Sequence, residues 1–221
     1  MSMKLLPSLG AAIVLSSCVM IQTTDYPEGW PKPADHPVSP CPDISGIYQN
    51  QGMCEPSEGD WFKQTCNSWT LASALLDWKP GVTNTKASAM EIRLINQNTL
   101  NITPYFQGKN LGATVYTRNA SDAADWQGGL MWDQVVMGYS CSSEGLTLAS
   151  TFVGSKIVTT IGGTDTRTFT KLPNGDLIMQ AEYEGGGHAT AIPIMVKRRE
   201  WYRWKPAIVA DSLKPVNTGK P

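Results

Sequence analysis

Histidine, net charge and long apolar runs are all scarce in this chain. Of its 221 residues only His36 and His188 are histidines, and 17% are charged. The 18 lysines and arginines nearly cancel 19 aspartates and glutamates, leaving a formal net charge of -1. Binding a phosphate backbone needs a concentrated basic face, so nucleic acid is excluded as a partner on bulk electrostatics. No stretch approaches the ~18 uninterrupted apolar residues of a spanning helix. Nucleophile elbows of the G-x-S-x-G kind are missing, and neither Gly145 nor Gly154 opens a helix after a strand as a phosphate loop does. No cysteine pair has the short spacing of a zinc site. Asp122, Asp125 and Asp133 lack the close alternation of a calcium loop, since Ala123-Ala124 interrupts them. No metal and no other cofactor is expected.

The N-terminus carries an address. Lys4 precedes an apolar run from Leu5 to Leu15 that contains Pro7 and Gly10 and is too short to span a bilayer. It has the form of an export segment over 1–17. Behind it stands Leu15-Ser16-Ser17-Cys18, which resembles the lipobox of bacterial lipoproteins. The resemblance implies a diacylglyceryl group on the thiol of Cys18, cleavage just before it, and acylation of the new amino terminus. Two or three acyl chains hold a protein on a bilayer where one is marginal, at ~0.8 kcal/mol per buried methylene. Val19 stands where an aspartate tends to mean inner-membrane retention in that class. The implied location is the periplasmic face of the outer membrane, with the membrane itself a partner through the lipid on Cys18.

Cys41, Cys54, Cys66 and Cys141 remain, an even set in a chain bound for an oxidising compartment. A strand from Asp43 to Asn50 would separate its ends by ~25 Å, at ~3.3 Å per residue. That is too far for Cys41 to reach Cys54, because bridged Cα atoms lie within ~7 Å. The expected pairs are Cys41-Cys141 and Cys54-Cys66.

Prolines at 27, 31, 33, 37, 40 and 42 make 18–42 read as an extended tether that holds a folded body off the membrane. The body, 43–205, begins at Ile44-Ser45-Gly46-Ile47-Tyr48. One short helix is expected near 68–78, capped by Asn67 or Ser68, with Leu71, Leu75 and Trp78 on one apolar face and Pro80-Gly81 beyond it. Everything after Ala89 alternates in short runs. Asn174-Gly175 marks a two-residue hairpin turn, and Gly162-Gly163 and Gly185-Gly186-Gly187 mark two further reversals. The expectation is a mainly β fold of about nine or ten strands, a single antiparallel barrel or sandwich, followed by a polar, flexible tail at 206–221.

Candidate functional residues are few. Glu182, Glu184 and His188 could be drawn as an acid/base set, yet the glutamates alternate with Ala181 and Tyr183 as on a solvated strand face, and His188 falls on an expected hairpin tip. No catalytic residue is assigned. The eight tryptophans stand out more. Trp126 and Trp132 fall in a long Gly- and Asp-rich interval, the kind of segment that carries binding, and Tyr116 lies on the strand before it. Lys197-Arg198-Arg199, with Arg203 and Lys205, alternates with aromatic residues in the last strand; stacking of Arg on Trp201 or Tyr202 is the structural reading, and contact with anionic lipid headgroups the functional one.

Gly46-Ile47-Tyr48 faintly resembles the G-x-W opening of lipocalins, with Tyr where that family has Trp. Thr24-Asp25-Tyr26, the counterpart of the family's second motif, lies ahead of the first strand, and the resemblance bears on architecture only. The functional expectation is a non-enzymatic, lipid-anchored envelope protein that binds an apolar small molecule, a lipid or an envelope partner protein. The alternative is an envelope hydrolase or a glycan-binding module using Trp-rich loops. A closed barrel with an apolar lumen would favour ligand carriage; a filled core would favour a protein or glycan partner.

Overall fold

Strict alternation of side chains across a strand lets one face be buried while the other meets water. The chain uses that property in two sheets. The computed structural model describes residues 18–33, 41–55, 70–76, 86–118, 121–122, 133–156, 159–189 and 192–207. Thirteen strands fall among them: β1 (Cys18–Thr23), β2 (Gly46–Gln49), β3 (Met53–Glu55), β4 (Ala89–Asn96), β5 (Thr99–Phe106), β6 (Lys109–Asn110), β7 (Thr114–Thr117), β8 (Ser121–Asp122), β9 (Asp133–Ser142), β10 (Gly145–Lys156), β11 (Thr159–Lys171), β12 (Leu177–Ala189) and β13 (Ile192–Trp204). A single helix, α1 (Leu71–Leu76), is described.

The larger sheet runs β1-β13-β12-β11-β10-β9-β8, with β3 also paired to β13. The smaller runs β2-β4-β5-β6, with β7 also on β5. They are not closed into a barrel, and the fold is mainly β and sandwich-like. Isolated bridges join them at two places, Tyr48 with Pro206 and Arg118 with Tyr139. Between them the core is occupied by Tyr48, Met90, Ile92, Leu100, Ile102 and Tyr116 from one side and Leu146, Leu148, Phe169, Met179, Tyr202 and Trp204 from the other. The Cys41-Cys141 disulfide ties the segment before β2 to β9, so it staples one sheet to the other. Cys54 is disulfide-bonded as well; Cys66 lies outside the described residues.

A six-residue helix cannot hold itself together, because nucleation is unfavourable and four groups at each end lack partners. Here long-range partners supply them. Thr70 is the N-cap: its Oγ1 accepts from the Ser73 amide at 3.1 Å, and the Ser73 Oγ accepts from the Thr70 amide at 2.9 Å. The Leu71 amide donates to the Asn50 carbonyl at 2.8 Å, and the Ala72 amide donates to Asn50 Oδ1 at 2.8 Å. At the other end Arg167 Nη1 donates to the carbonyls of Ser73 at 3.1 Å and Ala74 at 2.8 Å, and the Tyr116 hydroxyl donates to that of Leu75 at 2.6 Å. Leu71, Ala72, Ala74, Leu75 and Leu76 are buried. The helix thus lies within the expected 68–78 interval, with Thr70 as its cap; Asn67, Ser68 and Trp78 lie outside the described residues.

The structure departs from the sequence reading in four places. First, the expected tether begins as a strand: Cys18–Thr23 pairs parallel with β13, from Cys18 opposite Ile194 to Thr23 opposite Arg199. No proline interrupts 18–26, so nothing prevents pairing there. It is a parallel pair in a set of otherwise antiparallel ladders, and because the chain then passes to the other sheet it needs no crossover helix. Second, the glycines taken as reversals lie inside long strands, with Gly162 opposite Gly186 and Gly163 opposite Gly185. The Tyr183 hydroxyl lies 2.8 Å from where a Cβ on Gly185 would stand, so the ring covers the bare backbone. His188 is therefore on strand β12 opposite Pro193, not at a tip. Third, the Asn174-Gly175 turn is a three-residue loop: the Gly175 amide donates to the Leu172 carbonyl at 2.9 Å, Pro173 suits the first central position, and Gly175 takes φ 87°. Fourth, Pro206 and Ala207, expected to open the tail, belong to the body. The Gln49 amide donates to the Lys205 carbonyl at 2.9 Å and the Ala207 amide to the Ile47 carbonyl at 2.8 Å, carrying the chain from β13 onto β2.

Candidate functional site

On the outer face of the larger sheet, register aligns side chains in rows across three strands. Thr170, Ile178 and Arg203 form one row; Thr168, Gln180 and Trp201 the next; Thr166, Glu182 and Arg199 the third. Threonine dominates β11 on this face, and its Thr168 hydroxyl meets that of Thr147 on β10 at 3.0 Å. β-Branched side chains suit an exposed pleated surface, and here they also supply a ladder of hydroxyls.

The chain leaving β1 folds back over these rows. The Thr24 amide and hydroxyl both donate to the Arg199 carbonyl, at 3.2 Å and 2.7 Å, and Trp201 Nε1 donates to the Thr24 carbonyl at 3.1 Å. Tyr26 packs edge-on against Trp201 with ring centroids 5.0 Å apart, and Trp30 packs edge-on against Tyr26 at 6.3 Å. Arg203 lies over the Trp30 ring, 5.6 Å from its centroid, and its Nε donates to Asp176 Oδ2 at 2.6 Å. Trp30 is thus docked on the body. Burial pushes the Tyr26 hydroxyl above its ordinary titration range, with Arg203 opposing.

The result is a cleft of about 870 Å³, within the usual range for small-molecule sites. Trp201 and Tyr26 supply rings, Thr168, Thr170 and Gln180 supply neutral polar groups, and Lys32, Arg199, Glu144 and Glu182 bring charges of both signs. Glu182 Oε1 accepts from Arg199 Nε at 2.6 Å and from Gln180 Nε2 at 2.8 Å, so its carboxylate is fixed in place.

The expected site residues fall elsewhere. Tyr116 is buried at 1% exposure with its hydroxyl committed to the Leu75 carbonyl, so it caps the helix and offers no binding surface. Trp126 and Trp132 lie outside the described residues. Glu182, Glu184 and His188 share one face of β12 but are strung along it: Glu182 pairs with Arg199, Glu184 with Lys197 at 3.4 Å, and His188 lies six residues beyond Glu182, ~20 Å along the strand. Arg198 Nη2 pairs with the buried Glu200 at 2.6 Å, so each of the three successive basic residues is engaged in a salt bridge. Among the described residues no cluster of His, Cys, Asp and Glu could hold a metal ion, and no helix is long and apolar enough to cross a membrane. The cleft itself was missed in sequence because its rows come from separate strands; the alternation of Arg199, Trp201 and Arg203 was its local trace.

No protein-family model, curated protein or solved structure matches the chain.

Proposed function

We propose that this protein is an envelope lipoprotein, held on the periplasmic face of the outer membrane by acyl chains on Cys18, whose β-body binds a neutral oligosaccharide without transforming it. The lipobox Leu15-Ser16-Ser17-Cys18 supports the anchor. The cleft supports the ligand class. A sugar presents an apolar face of C–H groups and a rim of hydroxyls, which calls for an aromatic ring beside fixed donors and acceptors. Trp201 and Tyr26 stand beside Thr168, Gln180 and the Glu182-Arg199 pair in that way. Two cationic and two anionic side chains line the cleft, so no net field selects a polyanion. Carriage of an apolar ligand in a lumen is the weaker reading, because large side chains such as Trp204, Tyr48 and Phe169 occupy the space between the sheets.

The observation that carries this reading is the register row Thr168-Gln180-Trp201 beneath Tyr26. Its test is titration of the acylated protein in detergent with a panel of neutral β-linked oligosaccharides, read by tryptophan fluorescence and calorimetry. Saturable binding with Kd below about 1 mM is expected, weakened about tenfold or more in Trp201→Ala and less in Thr168→Val. Binding by no member of the panel, or binding indifferent to both substitutions, overturns the assignment.

A further inference from the structure

Beyond the cleft, the larger sheet continues for several residues past the core, and at one level it carries no polar side chain across four strands. Three successive register rows read Met20-Val196-Gly185-Gly163, Val19-Met195-Gly186-Gly162 and Cys18-Ile194-Gly187-Ile161. Val19 is 53% exposed, Met20 60% and Met195 55%, and Ile21 and Ile192 beside them are exposed too. Half of the exposed large apolar residues among those described gather at this corner. The character changes at one step in register. Ile21 is opposite Lys197 and Glu184, Gln22 is opposite Arg198 and Tyr183, and Thr23 is opposite Arg199.

The lipobox cysteine stands at the edge of this band. If Cys18 bears the lipid, its Cα sits at the bilayer surface, and at ~3.3 Å per residue the strand climbs only ~10 Å to Ile21. The headgroup layer is itself about 5–8 Å deep on each side of the hydrocarbon. The residues that geometry forces into the interface are therefore the apolar ones, and the first charged row appears where water begins. Lys197, 45% exposed, lies at that boundary with a long stem suited to reach outward. β1 is the end strand of its sheet among the described residues, and its outer backbone groups can still meet water at headgroup depth, though not in the hydrocarbon.

We propose that the end of the long sheet is a second membrane contact: the band of Val19, Met20, Ile21, Met195 and the paired glycines lies in the phospholipid interface around the acyl anchor. This inference rests on acylation of Cys18, and the test separates the two. The full chain, processed in the producing cell, is reconstituted into phosphatidylethanolamine/phosphatidylglycerol vesicles with or without acyl-chain bromination. Vesicle flotation reports the anchor. A tryptophan introduced by Met195→Trp, or independently by Ile21→Trp, reports the contact, and Val115→Trp on the smaller sheet, also an exposed position at 51%, is the control.

Expected is quenching of the added fluorescence by brominated lipid of about twofold at 195 and at 21, and none at 115. Floating protein whose residue 195 is no better quenched than residue 115 overturns the contact and leaves the anchor standing. Protein that does not float removes the anchor and the contact together. Quenching lost in favour of cross-linking between β1 strands of two copies would reassign the band to self-association.

Discussion

Arg167 offers the sharpest test of how this fold is held. It is a cation at 4% exposure on the core-facing side of β11, donating from Nη1 to the Ser73 and Ala74 carbonyls and from Nη2 to Asp165 Oδ2 at 2.7 Å. Arg167→Met keeps most of the volume and removes the charge. Each charge-assisted hydrogen bond contributes about 1.5–3 kcal/mol. The three do not add independently, since Asp165, 19% exposed, can partly rehydrate once abandoned. Breaking a buried pair by deleting one partner costs about 3–5 kcal/mol, and that range is the expectation here. With a slope near 2 kcal/mol/M, the urea midpoint followed by tryptophan fluorescence should fall by about 2 M. Arg167→Lys should recover only part of the loss, because one ammonium cannot match the fork that spans two helix carbonyls and a carboxylate. A loss under about 1 kcal/mol for Arg167→Met would refute the claim that the helix depends on β11 for its C-terminal cap.

Three further expectations follow from the same packing. Asn50→Ala strands the Ala72 amide and the Ala87 carbonyl, now bonded at 2.8 Å and 2.7 Å, and should cost about 2–4 kcal/mol. Hydrogen exchange distinguishes it from a general loss: the Ala72 amide should open while that of Leu71, held by the Asn50 backbone carbonyl, stays protected. Burial pushes the hydroxyls of Tyr48, Tyr116 and Tyr202 above the ordinary tyrosine range; nearby carboxylates add to the shift at Tyr48 and Tyr202, while Arg167 opposes it at Tyr116. Their folded-state values are raised, so the stability they contribute is complete below pH ~10 and is lost as pH climbs through the folded values. Three such groups should steepen the alkaline fall by about 4 kcal/mol per pH unit, and ionisation absorbance should rise together with unfolding, not before it. Replacing Cys41 and Cys141 together by serine opens a closure 100 residues long and should lower stability by about 2–5 kcal/mol, checked by thermal unfolding of the oxidised parent and the variant.

What could be read from sequence was what depends on near neighbours. Leu71 and Leu75 at one helical turn announced α1, and β4, with Met90 and Ile92 buried, follows the alternation of its residues. The Cys41-Cys141 bridge belongs to the favoured one of the two pairings left once a strand between Cys41 and Cys54 keeps those two apart. The helix ends were illegible for the opposite reason: Asn50, Tyr116 and Arg167 come from 22, 41 and 93 residues away in the bonds they make to Ala72, Leu75 and Ala74. Glycine misled because one residue type serves two ends. It permits reversal, and it also leaves a flat strand over which a ring can lie, as Tyr183 does over Gly185. Only the pairing of Gly163 with Gly185, invisible locally, decides between them.

The misread tether alters the functional picture most. A flexible spacer would let the body roam at a distance from the bilayer set by chain length. With β1 starting at Cys18 and laddered to β13, Cys18 and the cleft sit on hydrogen-bonded strands of one sheet. Arg199 and Trp201 lie five and seven residues beyond Ile194, the register partner of Cys18, which puts the cleft ~17–23 Å along the sheet from Cys18. On the proposed anchoring the cleft has a fixed height, and it meets ligand within a shallow layer above the lipid. On the proposed oligosaccharide binding, selection by position would add to recognition by Trp201 and its row, so an affinity modest in solution would suffice for a ligand confined near the membrane, because confinement raises its effective concentration at the site.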